Sequence, residues 1–270
     1  MKQYHLNETL PSSFQFEALF TTENAKHFVK RYWSYTFHIS AIYLLVIYFL
    51  RQFMKSRSAF DLRRVNIIWN GILALFSICF TIRVAPILMY EYRNFDFIFI
   101  LCDKLFIQSI PRFTFWALLF LFSKILELGD TLLIVLRKRR LMFLHWYHHV
   151  VTLVLVWFIS YREVSIGIVA GVINGLVHSF MYLYFTVKAM NIRIPTFVAM
   201  FITAIQTLQM MLMASFTIWM YWRLINKQEC DSSKDELEYI FLVYLSYLFL
   251  FIYLFYNSYI RFSTIKKKIM

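Results

Sequence analysis

Three imidazoles stand within five residues in the run His145-Trp146-Tyr147-His148-His149, inside a stretch apolar enough to cross a lipid bilayer. Polar groups at that depth are costly unless they find partners, so such a cluster marks a candidate functional site. Positions three or four apart share a helix face, which makes His145, His148 and His149 one group. The preceding apolar stretch repeats the spacing with Lys124, Glu127, Asp130 and Thr131. The next carries Asn174 and His178, followed by Met181, Tyr182 and Tyr184, and the one after it Thr203, Gln206 and Gln209. Lipid would leave these groups unpaired, so the four stripes are expected to face one buried polar chamber. There, Asp130 or Glu127 is expected to hydrogen-bond a histidine ring nitrogen, fix its tautomer and leave the other nitrogen to react. Gln206 and Gln209 also have a plain reading as interhelical glue, and Lys124 with Glu127 as a neutralised bridge. Arg83 is a lone charge in its stretch, and the first, second and seventh stretches are poorer in polar stripes.

The elements that must position these groups are membrane helices. Of 270 residues, 60% are hydrophobic and 20% aromatic, and the mean hydropathy is +0.59. The chain therefore reads as an all-α membrane protein of one domain, 1–270, with seven transmembrane helices. At about 20 apolar residues per span, these fall near 34–50, 66–90, 113–136, 142–160, 164–187, 195–221 and 237–260, between tails 1–33 and 261–270.

The net charge of +13 does not indicate nucleic acid, because it is sorted by loop. Alternate connections, including Arg137 to Arg140, Lys188, Arg193 and the C-terminal tail, hold fifteen basic residues against one acid, Asp61. The others, with the N-terminal tail, hold eleven basic residues and twelve acids. The positive-inside rule makes the first set cytosolic, which puts the N-terminus in the lumen, the C-terminus in the cytosol and requires an odd number of spans. Asn7-Glu8-Thr9 is then a lumenal glycosylation acceptor. Cys102 and Cys230 both fall in oxidising lumenal connections and are expected to pair. The ending Lys267-Lys268-Ile269-Met270 reads as a di-lysine endoplasmic reticulum retrieval signal.

Clustered histidines suit either a metal or covalent chemistry. His5, His27 and His38 lie toward the lumenal side, which leaves four imidazoles, fewer than a di-iron oxidase uses but enough for a mononuclear zinc or iron site. A neutral imidazole is also a nucleophile toward activated acyl groups. On the residues alone, a histidine-box lipid desaturase or hydroxylase, an acyl-transferring enzyme and a non-catalytic seven-span lipid-binding protein all remain open.

From about Arg31 to its end the chain resembles the very-long-chain fatty acid elongases, the 3-oxoacyl-CoA synthases of the ELO family. The resemblance rests on four motifs in order. Lys124 to Thr131 resembles KxxExxDT, His145 to His149 resembles HxxHH, His178 to Phe185 is similar to HxxMYxYY with Phe185 replacing the last tyrosine, and Thr203 to Gln209 resembles TxxQxxQ. The wording around the histidines is nearest the branch acting on saturated and monounsaturated long chains. The resemblance implies six helices around an acyl-chain tunnel and condensation of a long-chain acyl-CoA with malonyl-CoA, giving a 3-oxoacyl-CoA two carbons longer with release of carbon dioxide and CoA. It implies no metal or redox cofactor. By motif, His148 would attack the thioester, while His178, His145, His149 and Asn174 would position malonyl-CoA and stabilise its enolate. Asp130 and Glu127 would set tautomers, and Lys124, Tyr182, Gln206 and Gln209 would meet substrate. Arg137 and Lys138 would face anionic CoA at the chamber mouth. Membrane lipid surrounds the chain, and other elongation-cycle enzymes and a second copy of the chain are the further partners left open.

Overall fold

Among residues 14–19, 21–103 and 110–261, which the computed structural model describes, all regular structure is helical. Asn7 and the ending Lys267-Lys268 lie outside these residues. After a single 3-10 turn at Gln15–Ala18, the described helices are α1 Thr22–Tyr32, α2 Tyr35–Met54, α3 Arg63–Asn94, α4 Phe97–Cys102 and α5 Pro111–Glu127. Then come α6 Gly129–Leu136, α7 Phe143–Arg162, α8 Gly167–Ala189, α9 Thr196–Ile225 and α10 Lys234–Phe255, which runs into a π turn at Tyr256–Arg261. Local sequence explains the ends. The Thr21 hydroxyl caps α1 by accepting from the Asn24 N–H at 3.3 Å, and Ser233 and Glu236 form a reciprocal capping box on α10.

Six of these helices, α2, α3, α7, α8, α9 and α10, are long and apolar enough to cross a membrane, as expected of a multi-pass membrane protein. Their outward faces carry exposed Phe49, Leu75 and Phe249, a surface that lipid would cover. The stretch expected to be a continuous third span, 113–136, is instead two helices. At the junction the Leu128 N–H bonds to the Ile125 carbonyl at 3.2 Å and the Thr131 N–H to the Leu128 carbonyl at 3.3 Å. These three-residue steps interrupt the four-residue ladder. Gly129 lets the junction pack, because a Cβ there would sit 2.5 Å from Trp69 Cζ2. The Trp69 indole can therefore rest directly on the backbone.

The α3 helix lies along α8, α9 lies along α10, α5 bridges α3 and α7, and α2 packs on α6 and α7. The connections gather at two ends. At one, the Arg63 guanidinium donates to the Ala189 and Met190 carbonyls at 3.1 and 2.8 Å, and the Phe60 N–H reaches the Leu136 carbonyl at 3.1 Å. At the other, Cys102 and Cys230 are joined by a disulfide with Cα atoms 4.4 Å apart, and the Asp231 N–H bonds to the Cys102 carbonyl at 2.8 Å.

Arg83 is not a lone charge. Its guanidinium donates to both carboxylate oxygens of Glu17 at 2.8 and 2.6 Å, and the Trp116 indole N–H donates to the same group at 2.7 Å. Glu17 is fully buried. Burial opposes its ionisation, but the hydrogen bonds from Arg83, Trp116 and the Phe14 N–H outweigh it and hold the carboxyl below its ordinary value. A lowered folded value contributes stability that is complete above the unfolded value of about 4.3 and is lost as pH falls through the folded one. Glu17→Gln is thus expected to lower the melting temperature at neutral pH, with the gap to the parent closing as pH falls below about 4. A gap that stays constant over that range would show that the charge contributes nothing.

Candidate functional site

The break between α5 and α6 sorts the KxxExxDT side chains into two groups. From α5, the buried Lys124 ammonium donates to Glu127 Oε1 at 2.8 Å and to Asn174 Oδ1 on α8 at 2.8 Å. It also lies 4.4 Å from the centre of the Phe120 ring. His178, one turn beyond Asn174, is buried with its Nδ1 3.6 Å from Glu127 Oε1, longer than a hydrogen bond. From α6, Asp130 accepts from the Trp69 indole N–H at 2.6 Å and from the Tyr182 hydroxyl at 2.9 Å. Thr131 Oγ1 lies 3.0 Å from His145 Nε2. The expectation that Asp130 or Glu127 hydrogen-bonds a histidine is therefore corrected. Both Asp130 oxygens are taken by other donors, Glu127 is held by Lys124, and the group on a ring nitrogen is a threonine hydroxyl.

On α7 the histidines form one group, with ring centres 4.4 Å apart for His145 and His149 and 5.9 Å for His148 and His149. His148 faces inward, its ring 5.0 Å from that of Tyr247 and 6.2 Å from that of Phe251, both on α10. Tyr247 is itself fixed, its hydroxyl 2.9 Å from Thr152 Oγ1 and 3.4 Å from the His148 carbonyl.

Beside this group lies a cavity of about 190 Å³. His148, Asn174 and Gln209 line one end of it and Lys26, Ser160 and Glu163 the other. His148 and Glu163 are fifteen residues apart on α7, about 22 Å at helical rise. At the far end, Lys26 on α1 meets the Glu163 carboxylate at 3.1 Å, with both side chains about a third exposed. Glu163 reaches it from a left-handed backbone conformation, φ 54°, that ends α7. The wall is mainly apolar, from α1, α3, α5, α7, α8, α9 and α10, with nothing from α2. A smaller void between α3, α5 and α8 is bordered by Lys124, Glu127, Asn174 and His178, so Asn174 is common to both spaces.

Gln209 is on the cavity wall, as the spacing suggested, but Gln206 is not. Its amide meets the Met181 sulfur at 3.1 Å, a contact between helices. Arg137 and Lys138 end α6 just before the histidine helix, and the Lys138 ammonium reaches the Lys55 carbonyl at 3.4 Å. Among the described residues, no three His, Cys, Asp or Glu side chains stand close enough to hold a metal ion.

Sequence reasoning missed Tyr43, Trp69 and Tyr247. They come from the three helices expected to be poor in polar groups, α2, α3 and α10. Only Trp69 left a signal, the glycine beneath its ring.

The profile of the ELO: GNS1/SUR4 family matches residues 28–267. The chain is similar to very long chain fatty acid elongase 6 of Drosophila melanogaster, 37% identical over 250 residues, 92% of this chain and 79% of that one. It is likewise similar to very long chain fatty acid elongase 3 of Homo sapiens, 37% identical over 243 residues, 89% of this chain and 88% of that one. To the putative fatty acid elongase 4 of Caenorhabditis elegans it is 36% identical over 241 residues, 88% and 82% of the two chains.

Proposed function

The chain belongs to the ELO (GNS1/SUR4) family and is a very-long-chain fatty acid elongase, the condensing enzyme of fatty acid elongation, and on that premise we propose that it works through an acyl group carried on His148. The desaturase and non-catalytic readings left open by the residues give way to the family. Its substrates are a long-chain acyl-CoA and malonyl-CoA, and its relatives place it with the elongases named 3 and 6.

A bare ring nitrogen of His148 attacks the thioester carbonyl. The C–N bond forms, the C–S bond breaks, and CoA leaves as a thiol with the proton that the ring gives up. Malonyl-CoA then enters, held by His178, His145, His149 and Asn174. Loss of carbon dioxide leaves an enolate, which these groups stabilise. The enolate carbon attacks the acyl-imidazole, the new C–C bond forms, the C–N bond breaks, and His148 takes up one proton from the medium, which returns it to the neutral imidazole that began the cycle. The observation that carries this reading is the position of His148 on the cavity wall, beside Asn174 and Gln209, with the Lys124/Glu127/His178 group directly behind.

The cavity is the acyl tunnel, and each methylene buried there is worth about 0.8 kcal/mol. The stretch lined by α1 and the Lys26/Glu163 pair is where chain length is measured. The α5 and α6 helices together make the seventh span. The end bearing Arg63, Arg137 and Lys138 is cytosolic and receives CoA, and the disulfide end is lumenal, as the charge asymmetry requires. The N-terminal tail carries a glycan at Asn7, and Lys267-Lys268 returns the protein to the endoplasmic reticulum.

The test withholds malonyl-CoA. Purified protein incubated with acyl-labelled long-chain acyl-CoA should release CoA and keep the label through denaturation, and malonyl-CoA added beforehand should discharge it as 3-oxoacyl-CoA. CoA released only when malonyl-CoA is present, with no label retained, would replace the two-step route by direct condensation.

A further inference from the structure

Tyr43 is an odd residue for its helix. The α2 helix adds nothing to the cavity wall, yet the Tyr43 side chain is buried and its hydroxyl lies 2.7 Å from Thr131 Oγ1. Thr131, fully buried, lies in turn 3.0 Å from His145 Nε2. A chain of polar groups therefore runs from the outermost helix to the histidine cluster.

Counting protons sets its direction. The threonine hydroxyl has one proton to give, the phenol has one, and a neutral imidazole has one. If His145 Nε2–H donates to Thr131 and Thr131 donates to Tyr43, the buried phenolic proton has no acceptor. If both neighbours donate to Thr131, the threonine proton is stranded, since its oxygen has only these two partners among the described residues. Leaving a desolvated donor unused is costly. One order leaves no proton stranded within the relay: Tyr43 donates to Thr131, Thr131 donates to His145 Nε2, and the ring proton sits on Nδ1, which is not among the fully buried unpartnered atoms of the described residues.

We propose that Tyr43 and Thr131 are positioning residues that hold His145 as its Nδ1–H tautomer, so that the ring offers the site a proton donor rather than a bare nitrogen. This rests on the reading above in which His145 serves the malonyl half of the reaction, where a donor opposite a developing enolate oxygen is what the chemistry needs. The carboxylate of Asp130, one residue away, is kept out of this role by Trp69 and Tyr182. A neutral hydroxyl thus sets the tautomer without favouring an imidazolium.

The test compares Thr131→Val, which keeps the shape, with Thr131→Ser, which keeps the hydroxyl. Thr131→Val should lower kcat roughly 10- to 100-fold, the scale of losing a group that orients a functional histidine, with kcat/KM for acyl-CoA unchanged because the first half-reaction is untouched, and with a lower melting temperature because the buried Tyr43 hydroxyl loses its acceptor. Thr131→Ser should restore most of the parent rate. Tyr43→Phe, which removes only the distant hydroxyl, should lower kcat roughly 3- to 10-fold, the scale of one net hydrogen bond. It carries the test by itself if Thr131→Val does not fold. Diethyl pyrocarbonate should modify His145 faster in Thr131→Val, because Nε2 is uncovered. Acyl label should still be retained, since only the second half-reaction is slowed. Equal rates for the valine and serine variants, or parental kcat in Tyr43→Phe, would overturn the proposal. Failure of the parent to retain label would remove the covalent route while leaving the valine/serine contrast in total turnover to judge this one.

Discussion

Elongation by His148→Ala is expected to fall at least about 10³-fold, the scale of losing a covalent nucleophile. Acyl-CoA binding should be nearly unchanged, because the acyl chain's affinity resides in an apolar wall that the substitution leaves in place. The packing consequence is mild, since His148 already borders the cavity and its neighbours Tyr247 and Phe251 are held elsewhere, Tyr247 by Thr152. The same vacancy offers a sharper measurement. Imidazole added to the buffer is small enough to occupy the space left by the ring and should restore part of the turnover. The equivalent loss from His149→Ala should be smaller and should not respond to imidazole, because that ring positions substrate without carrying the acyl group. Turnover by His148→Ala within tenfold of the parent, or rescue equally good at both positions, would remove His148 from the nucleophile's role.

Much of this site was legible because membrane helices impose two strong regularities. Apolar windows of about 20 residues locate the spans, and polar side chains three or four apart must share an interior face. Hence Lys124, Glu127, Asn174, His178 and the α7 histidines come together as their spacing required. The aromatic hydroxyls and indoles were not legible. In a chain that is 20% aromatic, Tyr43, Trp69 and Tyr247 look like lipid-facing bulk, and whether their O–H or N–H finds a partner depends on helix crossings that periodicity does not encode. Arg83 was opaque for another reason: its partner Glu17 lies 66 residues away. The interruption at Leu128 was hidden because hydropathy runs through it unchanged, and only the glycine under Trp69 marks it. For the same reason a carboxylate, Asp130 or Glu127, reads as the partner of a histidine ring nitrogen, whereas the backbone turn at the junction brings the neighbouring Thr131 hydroxyl to His145.

Lys124→Met should be the most destabilising single change at the site. Lys124 and Glu127 are 2% and 6% exposed, so deleting the ammonium strands a carboxylate whose remaining neighbours are the Ser123 hydroxyl at 3.4 Å and His178 Nδ1 at 3.6 Å. Leaving one charge of a buried pair uncompensated costs about 3–5 kcal/mol, which for a chain of this size corresponds to a melting temperature lower by on the order of 10 °C. The double variant Lys124→Met/Glu127→Met separates fold from function. Replacing both charges by apolar groups of similar volume is often neutral for stability, so the melting temperature should return close to that of the parent. Activity should not return. Asn174 would have lost the ammonium that orients its carbonyl, and His178 would have lost the carboxylate beside Nδ1. A stable but inactive double variant would mean that the pair is kept for the chemistry at Asn174 and His178, against a net desolvation cost. An active double variant would demote the pair to a neutralised bridge, and a parental melting temperature in Lys124→Met alone would mean that Glu127 is already uncharged in the folded protein.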